Sequence, residues 1–114
     1  APTLVFDPSR RLVAVVGSPG GSRIPNYVSQ TLVGLLDWGL TPAAAVSLPH
    51  VGSRNGATEL EAGTPATAAQ PLLEALGHPV KVEDMTSGLS LIRRTPGGWT
   101  GAADPRREGA VAGD

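Results

Sequence analysis

Two adjacent glycines, set between a strand-like run and a helix-like run, are the residues of this chain best suited to chemistry. They lie in Val13-Ala-Val-Val-Gly17-Ser-Pro-Gly20-Gly21-Ser-Arg-Ile24. The residues before the bend are β-branched or small and suit a buried strand, whereas those after it follow a helical period. A strand that turns into a helix start through Gly-Gly leaves several backbone N–H groups unpaired and pointing one way, and such a place can hold negative charge. The plainer alternative is that the glycines only let the chain turn, with those N–H groups meeting water or Ser22.

Several glycine-turn chemistries fail on spacing. A nucleophile elbow needs Gly two residues before its Ser, but position 16 is Val, and Pro19 offers no N–H behind Ser18. A phosphate-binding loop ends in Gly-Lys-Ser/Thr, whereas the only lysine is Lys81. Gly17, Gly20 and Gly21 have the wrong spacing for a dinucleotide fingerprint. An oxyanion hole serving a nucleophile from outside this segment does fit. The Gly20 and Gly21 N–H groups would lie about 3 Å from a developing carbonyl oxyanion, each worth roughly 3 to 4 kcal/mol where water is excluded. Glycine suits both positions because substrate must come close to the backbone. Ser18 and Pro19, which lead into the pair, are the substrate-contacting candidates.

Other candidates are weaker. Glu59 and Glu61, two apart on a strand, share a face and could act as an acid–base pair, but a solvated strand face explains them more simply. His50 and His78 stand alone, and with no cysteine in the chain there is no disulfide, thiolate metal site or Cys nucleophile. No metal and no cofactor are expected. Nine Lys plus Arg against ten Asp plus Glu give a net charge of -1, so no broad positive field would gather nucleic acid or anionic lipid. The apolar runs fall well short of the roughly 20 residues of a membrane span, and residues 1–30 lack a basic-then-apolar signal pattern. Any export signal is expected to be missing or to lie elsewhere, and the sequence leaves the compartment open.

The elements that must hold the bend follow from periodicity. Thr3–Phe6 and Arg11–Val16 read as a hairpin through Asp7-Pro8-Ser9-Arg10, and the unbroken apolar run Leu12–Val16 predicts cover on both faces of the second strand. Ser22 is the expected N-cap of a helix with Pro25 in its first turn and Ile24, Val28, Leu32, Leu35 and Leu36 on its buried face. Gly39 closes that helix, and Thr41-Pro42 caps a short one over 43–47. A polar loop is predicted over 49–56, then a strand Thr58–Glu61 with Leu60 inward and both glutamates outward. A helix over 67–76 closed by Gly77, a strand over 79–83 and a hairpin of 89–93 with 98–102 complete the order, with His78 as a helix-end residue. The tail from Asp104 is expected to dock only in part. This order gives an α+β fold with a mostly antiparallel sheet and helices packed on one face, in a single partial domain over 1–114.

Gly17-Ser-Pro-Gly-Gly-Ser-Arg-Ile24, the helix with Gln30-Thr31 and Asp37, Glu59-Leu-Glu61 and Gly101-Ala-Ala-Asp-Pro-Arg106 resemble the small subunit of γ-glutamyltransferases, also called γ-glutamyltranspeptidases. The resemblance runs from Pro2 to the end. It implies an N-terminal nucleophile hydrolase, an αββα sandwich made by autocleavage of a precursor. In that family a Thr at the freed terminus of the small subunit attacks the γ-glutamyl carbonyl of glutathione or a related donor, and the acyl group passes to water or an amino acid. The family's oxyanion hole is the glycine pair that matches Gly20 and Gly21. A periplasmic or secreted location is implied by the resemblance alone.

Residue 1 is Ala and Thr3 lies behind Pro2, so the resemblance places the nucleophile outside this chain, which reads as the C-terminal part of a small subunit. After Pro49 the chain has His50-Val-Gly-Ser-Arg54 where many members carry an Arg-His-rich loop. The segment alone is expected to be inactive, poorly soluble and dependent on the rest of its precursor as partner. The alternatives are a sister acylase that removes glutaryl or similar groups and a non-catalytic module that binds a small anion at Gly20-Gly21.

Overall fold

The computed structural model describes residues 2–113, and its contacts divide the chain into two units, Ala1–Leu48 with Ser87–Asp114, and Pro49–Thr86. In the first unit β1 (Thr3–Phe6), β2 (Leu12–Gly17), β6 (Ser90–Thr95) and β7 (Gly98–Ala103) form a four-stranded sheet in the order β1-β2-β6-β7. Every neighbouring pair in it is antiparallel. In the β1–β2 turn the Asp7 side chain accepts the Arg11 N–H at 2.9 Å. That bond, ahead of burial, holds the Asp7 carboxyl below its ordinary value.

One face of this sheet is dry. Ala14, Val16, Leu91 and Ala102 are buried there, under helices α1 (Ile24–Leu36) and α2 (Pro42–Val46), which add Tyr27, Val28, Leu35, Ala45 and Val46. The other face carries the cross-strand row Leu4, Val15, Ile92 and Gly101, in which Leu4 and Ile92 are exposed. Among the described residues, cover on both faces of β2 is therefore not found: burial alternates, with Ala14 and Val16 inward and Val15 half-buried.

The buried stripe of α1 is Tyr27, Val28, Thr31, Gly34 and Leu35, rotated from the expected one, and Leu36 is exposed. Gly34 is the reason. A Cβ there would stand 2.8 Å from Leu48 Cδ1, so the helix turns its bare backbone to the chain that leads through α2. Thr41 caps α2 as expected, its hydroxyl accepting the Ala44 N–H at 3.2 Å.

In the second unit β3 (Val51–Ser53), β4 (Thr58–Glu61) and β5 (Val80–Glu83) form a sheet in that order, with β3–β4 antiparallel and β4–β5 parallel. The parallel pair requires a crossover, supplied by a 3₁₀ stretch Pro65–Ala69 running into α3 (Gln70–Ala75). Two expectations change here. The segment 49–56 contains a strand rather than only a loop, because Gly52 and its neighbours pair with β4. The helix expected over 67–76 is α only from Gln70, Pro65 having set a tighter turn first.

Candidate functional site

Ser18 to Arg23 leaves the end of β2 without passing directly into a helix. Gly20 has φ +140° and Gly21 φ +58°, both on the side of the Ramachandran map that side chains disfavour. At Gly20 space adds to the requirement, since a Cβ would lie 2.7 Å from Tyr27 Cε2, whereas nothing lies within 4 Å of one at Gly21. The chain then makes one 3₁₀ turn, Gly21–Arg23, with the Arg23 N–H donating to Gly20 O at 3.1 Å, before α1 starts at Ile24. Ser22 is thus not the helix cap. Arg23 occupies that position without a side-chain cap bond, because the two left-handed glycines delay helical dihedrals by a turn.

Pro19, Gly20 and Gly21 are exposed. Among the described residues, neither the Gly20 nor the Gly21 N–H is spent on a carbonyl or a side chain. The bend therefore presents two neutral donors at the surface, as an anion or a developing oxyanion requires. Beside it lies a cavity of about 360 Å³ lined by Pro2, Gly17, Ser18, Pro19, Gly88 and Ser90.

The Ser18 hydroxyl is engaged within the bend. It donates to Pro19 O at 2.7 Å and accepts the Gly88 N–H at 3.1 Å. Space at Gly88 is tight: a Cβ would lie 3.0 Å from Pro19 Cγ and 3.0 Å from Arg107 Cδ, so a side chain there would press on both.

The flanks of Gly88 are fixed by the buried Asp104. Its carboxylate accepts the Ser87 hydroxyl, the Leu89 N–H at 3.1 Å, the Arg106 N–H at 3.0 Å and the Arg106 guanidinium at 3.0 Å. Arg106 continues to Val46 O at 2.9 Å and Leu48 O at 2.7 Å, tying the tail to the end of α2. Burial opposes ionisation of Asp104, but the Ser87 hydroxyl leads a set of bonds that outweighs it and holds the carboxyl below its ordinary 3.8. The tail is thus docked through Asp104 and Arg106, and every described residue from Arg107 onward is exposed.

The other sequence candidates belong to the second unit. Glu59 and Glu61 do not face solvent: they are 4% and 5% exposed. Glu59 receives a two-pronged contact from Arg54, at 2.8 and 2.9 Å, and Glu61 accepts the His50 N–H at 3.0 Å. Alternation identified one face, but these partners make that face a buried one. His78 is exposed, its N–H closing α3 on Leu73 O at 3.0 Å. Among the described residues no cluster of three or more metal-ligating side chains occurs, and no helix is long and apolar enough to cross a membrane. Sequence spacing gave no sign of Gly88 as a support for Ser18, because 70 positions separate them.

Comparison with known proteins places the chain in a family. The sequence model of the family described as gamma-glutamyltranspeptidase matches residues 1–114. The chain is 37% identical over 101 residues to the acylase ACY 1 proenzyme of Pseudomonas sp. (strain V22), covering 87% of this chain and 18% of that protein. It is 38% identical over 110 residues to the glutathione hydrolase proenzyme of Escherichia coli (strain K12), covering 93% and 18%. The solved gamma-glutamyltranspeptidase of Pseudomonas nitroreducens complexed with L-DON superposes with a TM-score of 0.88 at 25% identity, covering 100% of this chain and 61% of that one. The chain thus spans under a fifth of the length of the two proenzymes it matches.

Proposed function

This chain belongs to the gamma-glutamyltranspeptidase family, and from that premise we propose that it is the oxyanion-hole-bearing part of an autocleaved enzyme that transfers or hydrolyses γ-glutamyl groups. The observation that carries the proposal is the pair of unspent, exposed N–H groups of Gly20 and Gly21. In this reading a Thr from sequence outside the segment attacks the γ-glutamyl carbonyl of glutathione or a similar donor. The two amides hold the resulting oxyanion, and the acyl-enzyme passes its group to water or to an amino acid. Pro19, in the wall of the neighbouring cavity, lines the path of the acyl chain, whereas the Ser18 hydroxyl is already engaged within the bend. The exposed row of Leu4 and Ile92 on the outer sheet face supports association with the rest of the precursor, whose burial of that row would stabilise the assembly.

Release of p-nitroaniline from γ-glutamyl-p-nitroanilide tests this, with the full-length precursor and this segment assayed side by side. Turnover by the matured full-length protein and none by the segment is the expected result. A full-length protein that folds, cleaves itself and leaves the anilide intact would overturn the substrate class.

A second reading is favoured by the 37% identity to an acylase proenzyme. An acylase would use the same glycine pair and differ in the groups that meet the acyl chain. Glutaryl-p-nitroanilide, which lacks the α-amine, separates the two readings: a γ-glutamyl enzyme discriminates strongly against it, because buried acceptors for the amine are left unpaired.

A further inference from the structure

We infer that Ser18 is a positioning residue that aims and strengthens the Gly20 N–H. The inference rests on the oxyanion role proposed above and extends it to a residue that need not touch substrate. The Pro19–Gly20 peptide is planar and trans, so its C=O and N–H point in opposite directions. The Ser18 hydroxyl draws the Pro19 carbonyl to one side at 2.7 Å. The Gly20 N–H is thereby turned to the other.

The hydroxyl can donate to Pro19 only while its own position is held, and the Gly88 N–H holds it from behind at 3.1 Å. The result is a chain of three dipoles: Gly88 N–H to Ser18 Oγ, Ser18 O–H to Pro19 O, and, through the shared peptide plane, the Gly20 N–H outward. Hydrogen bonds in series polarise one another, so the last donor is a better one than an isolated amide. The anchoring of Ser87 and Leu89, on either side of Gly88, to the buried Asp104 makes the support stiff. A free Ser18 side chain reaching into the cavity would have left the peptide plane unfixed.

Two variants of the full-length protein test the inference, Ser18→Ala, which removes the hydroxyl, and Ser18→Thr, which keeps it. With γ-glutamyl-p-nitroanilide, Ser18→Ala is expected to lower kcat about 10- to 100-fold with KM within about twofold, as for an ångström-scale misalignment of a donor. Ser18→Thr should recover most of the loss. A raised KM at unchanged kcat would instead make Ser18 a substrate contact and overturn the inference, as would unchanged kinetics.

A further readout does not depend on the substrate. The crystal structure of full-length Ser18→Ala should have the Pro19–Gly20 peptide plane rotated relative to the unmodified protein. An unrotated plane overturns the inference even if the protein proves inactive toward the anilide. A rotated plane in a protein whose unmodified form is silent upholds the aiming role and counts against the γ-glutamyl reading instead.

Discussion

Judged by residue type alone, the glycine bend of the first unit and the paired glutamates of the other unit have exchanged roles. Glu59 and Glu61 carry charge and sit two apart, yet both are buried and their oxygens are occupied by the Arg54 guanidinium and the His50 N–H. Gly20 and Gly21 carry no side chain, yet they keep two donors in the open. A hydrogen-bonding group can act on a substrate only if folding has not already used it. Buried carboxylates tied to fixed partners are structural, and exposed amides left over by an irregular turn are available.

Substitutions on the two sides should therefore fail in different ways. The largest effect is expected from Gly20→Ala in the full-length protein. It sets a methyl 2.7 Å from the Tyr27 ring at φ +140°, and displacing one oxyanion donor typically costs about 100- to 1,000-fold in kcat. Steady-state kinetics on the γ-glutamyl anilide checks it, and near-normal turnover would break the comparison on the glycine side.

Glu59→Ala should act on stability alone. Loss of the Arg54 partner leaves that guanidinium able to reach water, so a cost of about 1 to 3 kcal/mol is expected, with kcat per folded molecule unchanged. Denaturant unfolding combined with active-site titration separates the two quantities. A fall in kcat without a fall in stability would make the glutamates catalytic candidates again.

A third outcome concerns the anchor beneath the bend. Asp104 has its folded-state pKa lowered, so its contribution is fully present above the ordinary value of 3.8 and disappears as pH falls through the lower folded value. Thermal midpoints measured from pH 6 down to pH 2 should fall more steeply for the unmodified protein than for Asp104→Asn, and the gap between them should close at the acid end. Parallel curves would deny Asp104 that role.

The smallest effect is expected from Gly21→Ala. No atom lies within 4 Å of the new methyl, and φ +58° costs a side chain roughly 1 to 2 kcal/mol. The N–H survives, so kcat should drop less than about tenfold. The contrast with Gly20→Ala is itself the test of which glycine is tightly constrained by its neighbours.

Much of this was readable from residue order, and the failures have physical causes. The hairpin of β1 and β2, the Thr41 cap and the order of the strands and helices other than β3 follow from local turn chemistry and periodicity, which neighbours in sequence decide. The glycine bend was readable for the same reason, as a steric demand confined to a few residues. The buried stripe of α1 was displaced because Gly34 faces Leu40, Leu48 and Ala45, a close approach that apolar spacing does not encode. Burial of Glu59 and Glu61 depends on partners delivered by β3 and its flanks. The support of Ser18 by Gly88, and of Gly88 by Asp104, joins residues from distant parts of the chain, brought together by the pairing of β2 with β6 and of β6 with β7.

The central claim is that the two bend amides hold the oxygen of an acyl group under attack. The most direct measurement is a crystal structure of the matured full-length protein with a γ-glutamyl boronate bound to its nucleophile. The account predicts an adduct oxygen about 2.7 to 3.1 Å from both Gly20 N and Gly21 N. An adduct whose oxygen is held by other donors, with the two amides bonded to carbonyls of the protein, would contradict it.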